Sequence, residues 1–304
     1  CQTLSGSNMK NIAIVIRGMT RTWELCKLNI FAKFRKMCNT EGINVIWFFD
    51  TWSESQNESY EVDEKNQQII ITESQIDLVD KEQIEASFVG LNLASVNIHP
   101  ITQMSAPNSF LYLNYLSLLS RKRYEITHGI TFDSIFLIRP DIVLTSTDSP
   151  LVLAEMASRE WGLNQSCISN TFKNASAFCT DSLRSHPVFE MDRNASDISL
   201  VGSTFNIDSF QETYLRLAHR QQKEVAAPHS TIGRHLHEFN IPINADWDYM
   251  IVRNLSNPQT QMRFENFEQF IRSSHELTGK DLMKWIQTQL QWYKYPKIKL
   301  KGNQ

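Results

Sequence analysis

The stretch that decides the fold is FDSIFLIRPDIVL, residues 132–144. Four apolar residues, Ile135 to Ile138, run without a polar break. Arg139, Pro140 and Asp141 then arrive together before Ile142, Val143 and Leu144 resume the apolar pattern. A continuous apolar run of this length reads as a strand buried on both faces, as in a parallel sheet covered by helices. The guanidinium and carboxylate at its end therefore need a reason.

Working outward, the same signature recurs. Ile12 to Ile16 reads as a buried strand followed by a helix over about 23–38, and INVIWFF, 43–49, as a second strand. Residues 53–66, SESQNESYEVDEKN, are polar and acidic and read as a solvated loop. QQIII predicts a short strand and DKEQIEASFVGL a short helix. Asn108 or Ser109 could cap a long helix through Thr127 that ends at Gly129. Beyond it, 145–196 is rich in Ser, Thr and Asn with weak periodicity. ISLVGS reads as a strand, IDSFQETYLRLAHRQQ as a helix and HSTIGRHLHEF as another. NIPINADWDYMIV reads as a strand pair or extended segment, and about 264–293 as a C-terminal helix. Strands alternating with helices predict an α/β chain with a mostly parallel sheet flanked by helices, and an irregular C-terminal half.

The chain has 304 residues, 41% of them hydrophobic, and a formal net charge of -3. That balance implies no broad basic surface and argues against nucleic acid as a partner. No apolar run approaches the roughly 18 residues of a membrane span. Residues 1–8 read as an added leader ahead of a natural start at Met9, leaving 9–304 as a single domain. Of five cysteines, Cys26, Cys38, Cys167 and Cys179 have neither CxxC nor zinc-finger spacing. With no signal peptide in view, a reduced, cytoplasmic protein is expected, and the five Asn-x-Ser sequons read as accidental.

In open parallel sheets, ligands bind outside the carboxyl ends of the strands, and three predicted ends are polar. The first leads into RGMTRTW, residues 17–23. Gly18 permits a tight turn, Arg17 and Arg21 can meet phosphate, and Thr20 and Thr22 add hydroxyls beside a helix start. A capped turn with solvated arginines is the alternative. The second ends in Asp50, Thr51 and Trp52: Asp50 could accept from a ribose or base and Trp52 could stack on a ring, or the two could cap a turn and fill the core rim. The third is Arg139-Pro140-Asp141, where Asp141 could hold a divalent cation that bridges two phosphates while Arg139 adds a positive group. An internal Arg139–Asp141 ion pair is the alternative.

IAIVIRGMTRTW, WFFDTW and YEITHGITFDSIFLIRPDIVL resemble glycosyltransferases of the GT-A superfold found in bacterial surface-polysaccharide clusters and large viruses. The pattern is a first strand followed by G-x-x-R, a second ending in His-Thr-Trp, a helix ending in Tyr-Glu, and Tyr-Asp-x-x-x-x-x-Arg-x-Asp. DISLVGSTFNIDSF resembles a later Asp-x-Phe-x-x-Gly-Ser segment. The resemblance covers about residues 10–145 and, loosely, 195–245. It implies a GT-A-like (Rossmann-like) fold, with residues 9–145 as the nucleotide-sugar-binding half, 146–263 as the acceptor side and 264–304 as a C-terminal helical extension. It further implies transfer of a sugar from a nucleotide-sugar donor to a saccharide or glycolipid acceptor, with Asp141 holding Mn or Mg beneath the diphosphate. Asp197 in the later segment is the candidate general base and Asp208 the second. Two departures stand out: Asp50 replaces the usual His, and Pro228-His229-Ser230 stands where Pro-Glu is expected.

Competing classes are a non-catalytic glycan- or nucleotide-binding module and a nucleotidyltransferase. The last would more often show a Gly-rich first loop with a nearby Lys. Finally, Trp285, Trp292, Tyr293 and Tyr295 mix with lysines in the tail. That suits peripheral contact with the inner face of an anionic membrane, or alternatively a helix packed on the core with a frayed basic end.

Overall fold

The computed structural model describes residues 9–63, 68–101, 106–144, 150–151, 154, 166–168, 199–218, 243–244, 249–251 and 297–300. Strand β1, Lys10–Arg17, lies between β2, Ile43–Trp52, and β6, Ser134–Ile138, and is parallel to both. Outside β2 runs β5, Leu93–His99, also parallel. On the other side, β9, Ser199–Ser203, pairs antiparallel with β6. Beyond β9 come β8, Ser166–Ile168, and β10, Ile243–Asn244. The seven-stranded order is β10-β8-β9-β6-β1-β2-β5, in which only β9 runs against the rest. This is the mostly parallel α/β sheet that the apolar runs predict.

Alternation along β1 divides the core. Ile12, Ile14 and Ile16 pack with Trp23, Cys26, Ile30 and Phe34 of α1, Trp23–Cys38. Ala13 and Val15 pack on the opposite face. There they meet Leu111 and Leu118 of α3, Ala106–His128, and Phe210 and Tyr214 of α4, Thr204–Ala218. Successive strand residues point to opposite faces, so a strand covered by helices on both sides must be apolar throughout. The helix α3 ends at Gly129, whose φ of +63° suits the left-handed position after a helix. Short α2, Lys81–Ala86, is capped by the Asp80 side chain accepting from the Gln83 N–H at 3.1 Å. Among the described residues no helix is long and apolar enough to cross a membrane.

Three expectations need correction. The acidic segment 53–66 is not a loop, because Glu54–Asp63 forms β3, paired antiparallel with β4, Gln68–Leu78. Backbone pairing with β4 along the whole length of β3 outweighs the low strand propensity of the acidic residues. The second strand does not stop at Phe49. It continues through Trp52 because β5, which the sequence reading missed, carries the ladder onward (Asp50↔Asn97, Thr51↔Ile98, Trp52↔His99). Within the basic tail, Lys297–Leu300 forms β12, parallel to β4 in a sheet of order β12-β4-β3. Those four residues are ordered sheet rather than a frayed end. The segment near 243–251 does contain two short strands, but they do not pair with each other: β10 joins β8, while β11, Tyr249–Ile251, pairs antiparallel with β7, Ile142–Leu144. The expected helices over HSTIGRHLHEF and 264–293 lie outside the described residues.

Candidate functional site at the carboxyl edge of the sheet

Register places polar residues side by side at one edge. Arg17 closes β1 opposite Asp50 of β2, and Asp50 lies opposite Asn97 of β5. Both Arg17 and Asp50 are fully buried. The Arg17 guanidinium sits 5.6 Å from the centre of the Phe110 ring at the start of α3, a cation–π distance that lowers the cost of burying the charge. Asp50 Oδ1 accepts from His99 Nε2 at 2.9 Å, Asn97 Nδ2 at 3.1 Å and Ser120 Oγ at 3.1 Å. Three donors converge on one carboxylate oxygen, while Oδ2 is buried without a hydrogen-bond partner among the described residues.

The chain leaves β1 through Gly18, whose N–H donates to the Asp50 carbonyl at 3.2 Å. Its φ is +136°, and a Cβ there would stand 3.1 Å from Pro140 Cδ. Glycine is thus required twice over, for the conformation and for the close passage of the Arg139–Pro140 segment. Arg21 also has positive φ, +20°, and its N–H donates to Ser55 Oγ at the start of β3, 2.8 Å away. This bond anchors the loop after β1 to the segment after β2.

Asp141 is fully buried. Its two oxygens accept a fork from Arg139, Nε to Oδ1 at 2.8 Å and Nη2 to Oδ2 at 2.6 Å. Arg21 Nη1 approaches Oδ2 at 3.8 Å. A buried carboxylate is costly without partners, and a bidentate guanidinium is the pairing whose planar geometry suits it best. The Arg139 and Arg21 side chains keep 17% and 20% of their surface exposed, so the basic side of the group faces outward.

The structure therefore brings together Arg17, Gly18, Arg21, Asp50, Arg139 and Asp141. Thr20 caps the turn through its carbonyl, which accepts from the Trp23 N–H at 2.5 Å. Thr22 is buried, with its hydroxyl 3.7 Å from Cys26 Sγ inside the first turn of α1. Trp52 is 2% exposed and meets the His99 ring edge-on at 6.3 Å, so it fills the rim. Asp208 stands apart. It lies one turn into α4, which starts beside Phe132 ahead of β6 and so at the opposite edge of the sheet. Its carboxylate is taken by Arg121 and by Lys122 at 2.7 Å. Asp197 lies outside the described residues.

His99, Asn97, Ser120 and Ser55 were missed in the sequence. The signal for the first two was LASVNIHP, where polar Ser95, Asn97 and His99 alternate with Ala94, Val96 and Ile98 before a proline. Among the described residues no group of three or more His, Cys, Asp or Glu comes together to hold a metal ion. The donor set at Asp141 does not fit a divalent cation either, since two guanidinium groups already surround that carboxylate.

The fold and this edge define an open α/β sheet whose central strands end in partly exposed Arg21 and Arg139 beside buried Arg17, Asp50 and Asp141, at the carboxyl ends where open sheets usually bind ligands. No family model matches the chain, and no curated protein matches it. Among solved structures it aligns with the apo-form glycosyltransferase GlyE of Streptococcus pneumoniae TIGR4 at 10% identity and a TM-score of 0.35. That alignment covers 88% of this chain and 52% of GlyE, so the chain spans about half the length of that protein. It also aligns with an active-site mutant of LgtC at 10% identity and a TM-score of 0.35, covering 76% of this chain and 70% of that one. Likenesses this distant decide nothing about the reaction.

Proposed function

We propose that the chain is a glycosyltransferase that binds a nucleotide-sugar donor across the carboxyl ends of β1, β2 and β6 and passes the sugar to a saccharide or glycolipid acceptor. The observation that carries this reading is the pair of partly exposed guanidinium groups, Arg21 and Arg139, clustered about Asp141 at the strand edge that buried Arg17 also closes. A guanidinium cluster on a rigid sheet edge suits a diphosphate, which presents paired anionic oxygens to planar donors. The motif resemblance of residues 10–145 supports the choice of a sugar donor over other diphosphates.

In this reading the bond from the sugar's anomeric carbon to the β-phosphate oxygen breaks with its electron pair going to that oxygen. The new bond forms from an acceptor hydroxyl, whose proton passes to a carboxylate, with Asp197 the candidate base if the reaction inverts. Charge grows on the departing diphosphate, and preorganised cations beside it stabilise the transition state more than the ground state.

The test is a panel of nucleotide sugars and nucleoside diphosphates scored by thermal stabilisation. A ligand at a hundred times its Kd adds about 2.7 kcal/mol, which at about 2–4 °C per kcal/mol raises the melting temperature by about 5–10 °C. Arg21→Ala should weaken that ligand about tenfold to a hundredfold, the worth of one charge-assisted hydrogen bond. A panel in which nothing stabilises the protein would reject the reading, and binding without sugar transfer to any acceptor would reduce it to a binding module.

A further inference from the structure

We infer that the diphosphate is neutralised by the guanidinium groups of Arg139 and Arg21, and that Asp141 is their buried counterion rather than a metal ligand. The inference rests on the donor reading above and assigns the chemistry of its phosphate subsite. Three observations carry it.

The first is geometry. The Arg139 fork at 2.8 and 2.6 Å engages both Asp141 oxygens. A cation entering the site would have to displace a bidentate, charge-assisted pair from a fully buried position. The second is charge. Asp141 contributes one negative charge against two guanidinium groups within 4 Å of it, at 2.6 Å and 3.8 Å. Counted over these three side chains the charge is net positive, which disfavours a divalent ion and favours an anion. The third is access. Asp141 has no exposed surface, whereas Arg139 and Arg21 retain 17% and 20%. Ligand thus meets the cations and not the carboxylate.

The surroundings hold this arrangement rigid. Pro140 fixes the backbone between Arg139 and Asp141, and Gly18 passes within contact of its ring. Ser55 holds the Arg21 backbone N–H. The cations are accordingly set before ligand arrives, which is the condition under which fixed charges stabilise a leaving group most.

The two roles for Asp141 predict opposite outcomes for Asp141→Asn. The amide binds a divalent ion poorly, so a metal ligand lost in this way would abolish binding. A counterion lost in this way leaves the arginines in place with more net positive charge. It lowers the melting temperature of the free protein by disrupting the fork, but it leaves anion binding within about threefold. Arg21→Ala, at a side chain exposed enough to be replaced without emptying the core, should instead weaken anion binding tenfold or more.

The experiment titrates inorganic pyrophosphate and, separately, a set of nucleoside diphosphates by calorimetry, in EDTA and in manganese. It uses the full chain and both variants. The inference expects binding in EDTA, unchanged within about twofold by manganese, kept by Asp141→Asn with a lowered melting temperature, and lost by Arg21→Ala. Nucleoside diphosphate that binds only with manganese and fails to bind Asp141→Asn overturns the inference and leaves the donor reading standing. Pyrophosphate that binds in EDTA while every nucleotide fails keeps the arginine subsite and overturns the donor reading. No binding of either probe under any condition overturns both.

Discussion

Replacing Gly18 with alanine tests how the loop after β1 and the Arg139–Asp141 segment share one space. Two costs add. At φ +136° a residue with a Cβ occupies backbone space used almost only by glycine, at about 1–3 kcal/mol. The new methyl would also stand 3.1 Å from Pro140 Cδ, and Pro140 is buried and covalently pinned between Arg139 and Asp141. Relieving that overlap requires moving the proline, a further cost of about 1–3 kcal/mol for an overpacked site. The sum, about 2–6 kcal/mol, corresponds at about 2–4 °C per kcal/mol to a fall in melting temperature of about 4–24 °C. The control is Gly90→Ala. Gly90 has φ +82° but nothing within 4 Å of the added carbon, and it precedes β5 at the opposite edge of the sheet. That change carries backbone strain alone, about 1 kcal/mol. Melting curves followed by circular dichroism compare the stabilities, and pyrophosphate titration compares the sites. Gly18→Ala should lose affinity because Pro140 carries Arg139 with it, whereas Gly90→Ala should not. Equal melting temperatures for the two variants, or unchanged affinity in Gly18→Ala, would refute the shared-space argument.

Two further outcomes follow from the hydrogen bonds. Arg121 is fully buried and donates to Glu125 at 2.6 Å as well as to Asp208. Arg121→Met leaves two carboxylates facing a buried gap and should cost about 3–5 kcal/mol in urea unfolding, with anion affinity of the folded protein unchanged; a loss under 1 kcal/mol, or a selective loss of binding, contradicts the clamp. The Gln83 backbone N–H, the largest influence on Asp80, holds its carboxyl below the ordinary value. A depressed folded pKa contributes stability above the unfolded value of about 3.9 that fades as pH falls through the folded one. The melting gap between wild type and Asp80→Ala should therefore be full near neutral pH and close in acid, and a gap independent of pH would remove the cap assignment.

What the sequence disclosed follows from how each element is buried. The cores of β1, β2 and β6 are covered on both faces, so they appear as unbroken apolar runs, and their polar carboxyl ends stand out by contrast. Arg17, Asp50, Arg139 and Asp141 were legible for that reason. By contrast, β3 is a polar strand whose order comes from pairing with β4, and nothing local in SESQNESYEVD announces a ladder. Likewise β5 hides its role because half of its residues turn toward Asp50 rather than toward an apolar layer. Ser120 reaches the site only because α3 crosses β2 at that level, which no local pattern reports. The two roles open to Asp141 were inseparable in one dimension, since Arg-Pro-Asp spacing permits both a fork and an outward-facing carboxylate. In the folded chain the fork is formed, with Arg139 engaging both Asp141 oxygens.

The pairing of β12 with β4 also sets an order of events during synthesis. At roughly 5–20 residues per second, residues 297–300 emerge about 10–45 s after their partners at 68–71. Through that interval the hairpin of β3 and β4 has an unfilled edge carrying Ile69, Ile70 and Ile71, with backbone donors and acceptors waiting for a strand. The nascent chain thus carries a temporary adhesive edge that only a much later segment can close. A ribosome stalled anywhere in between would present that edge to its neighbours, and a peptide of sequence KIKL supplied in trans would compete for the same seat.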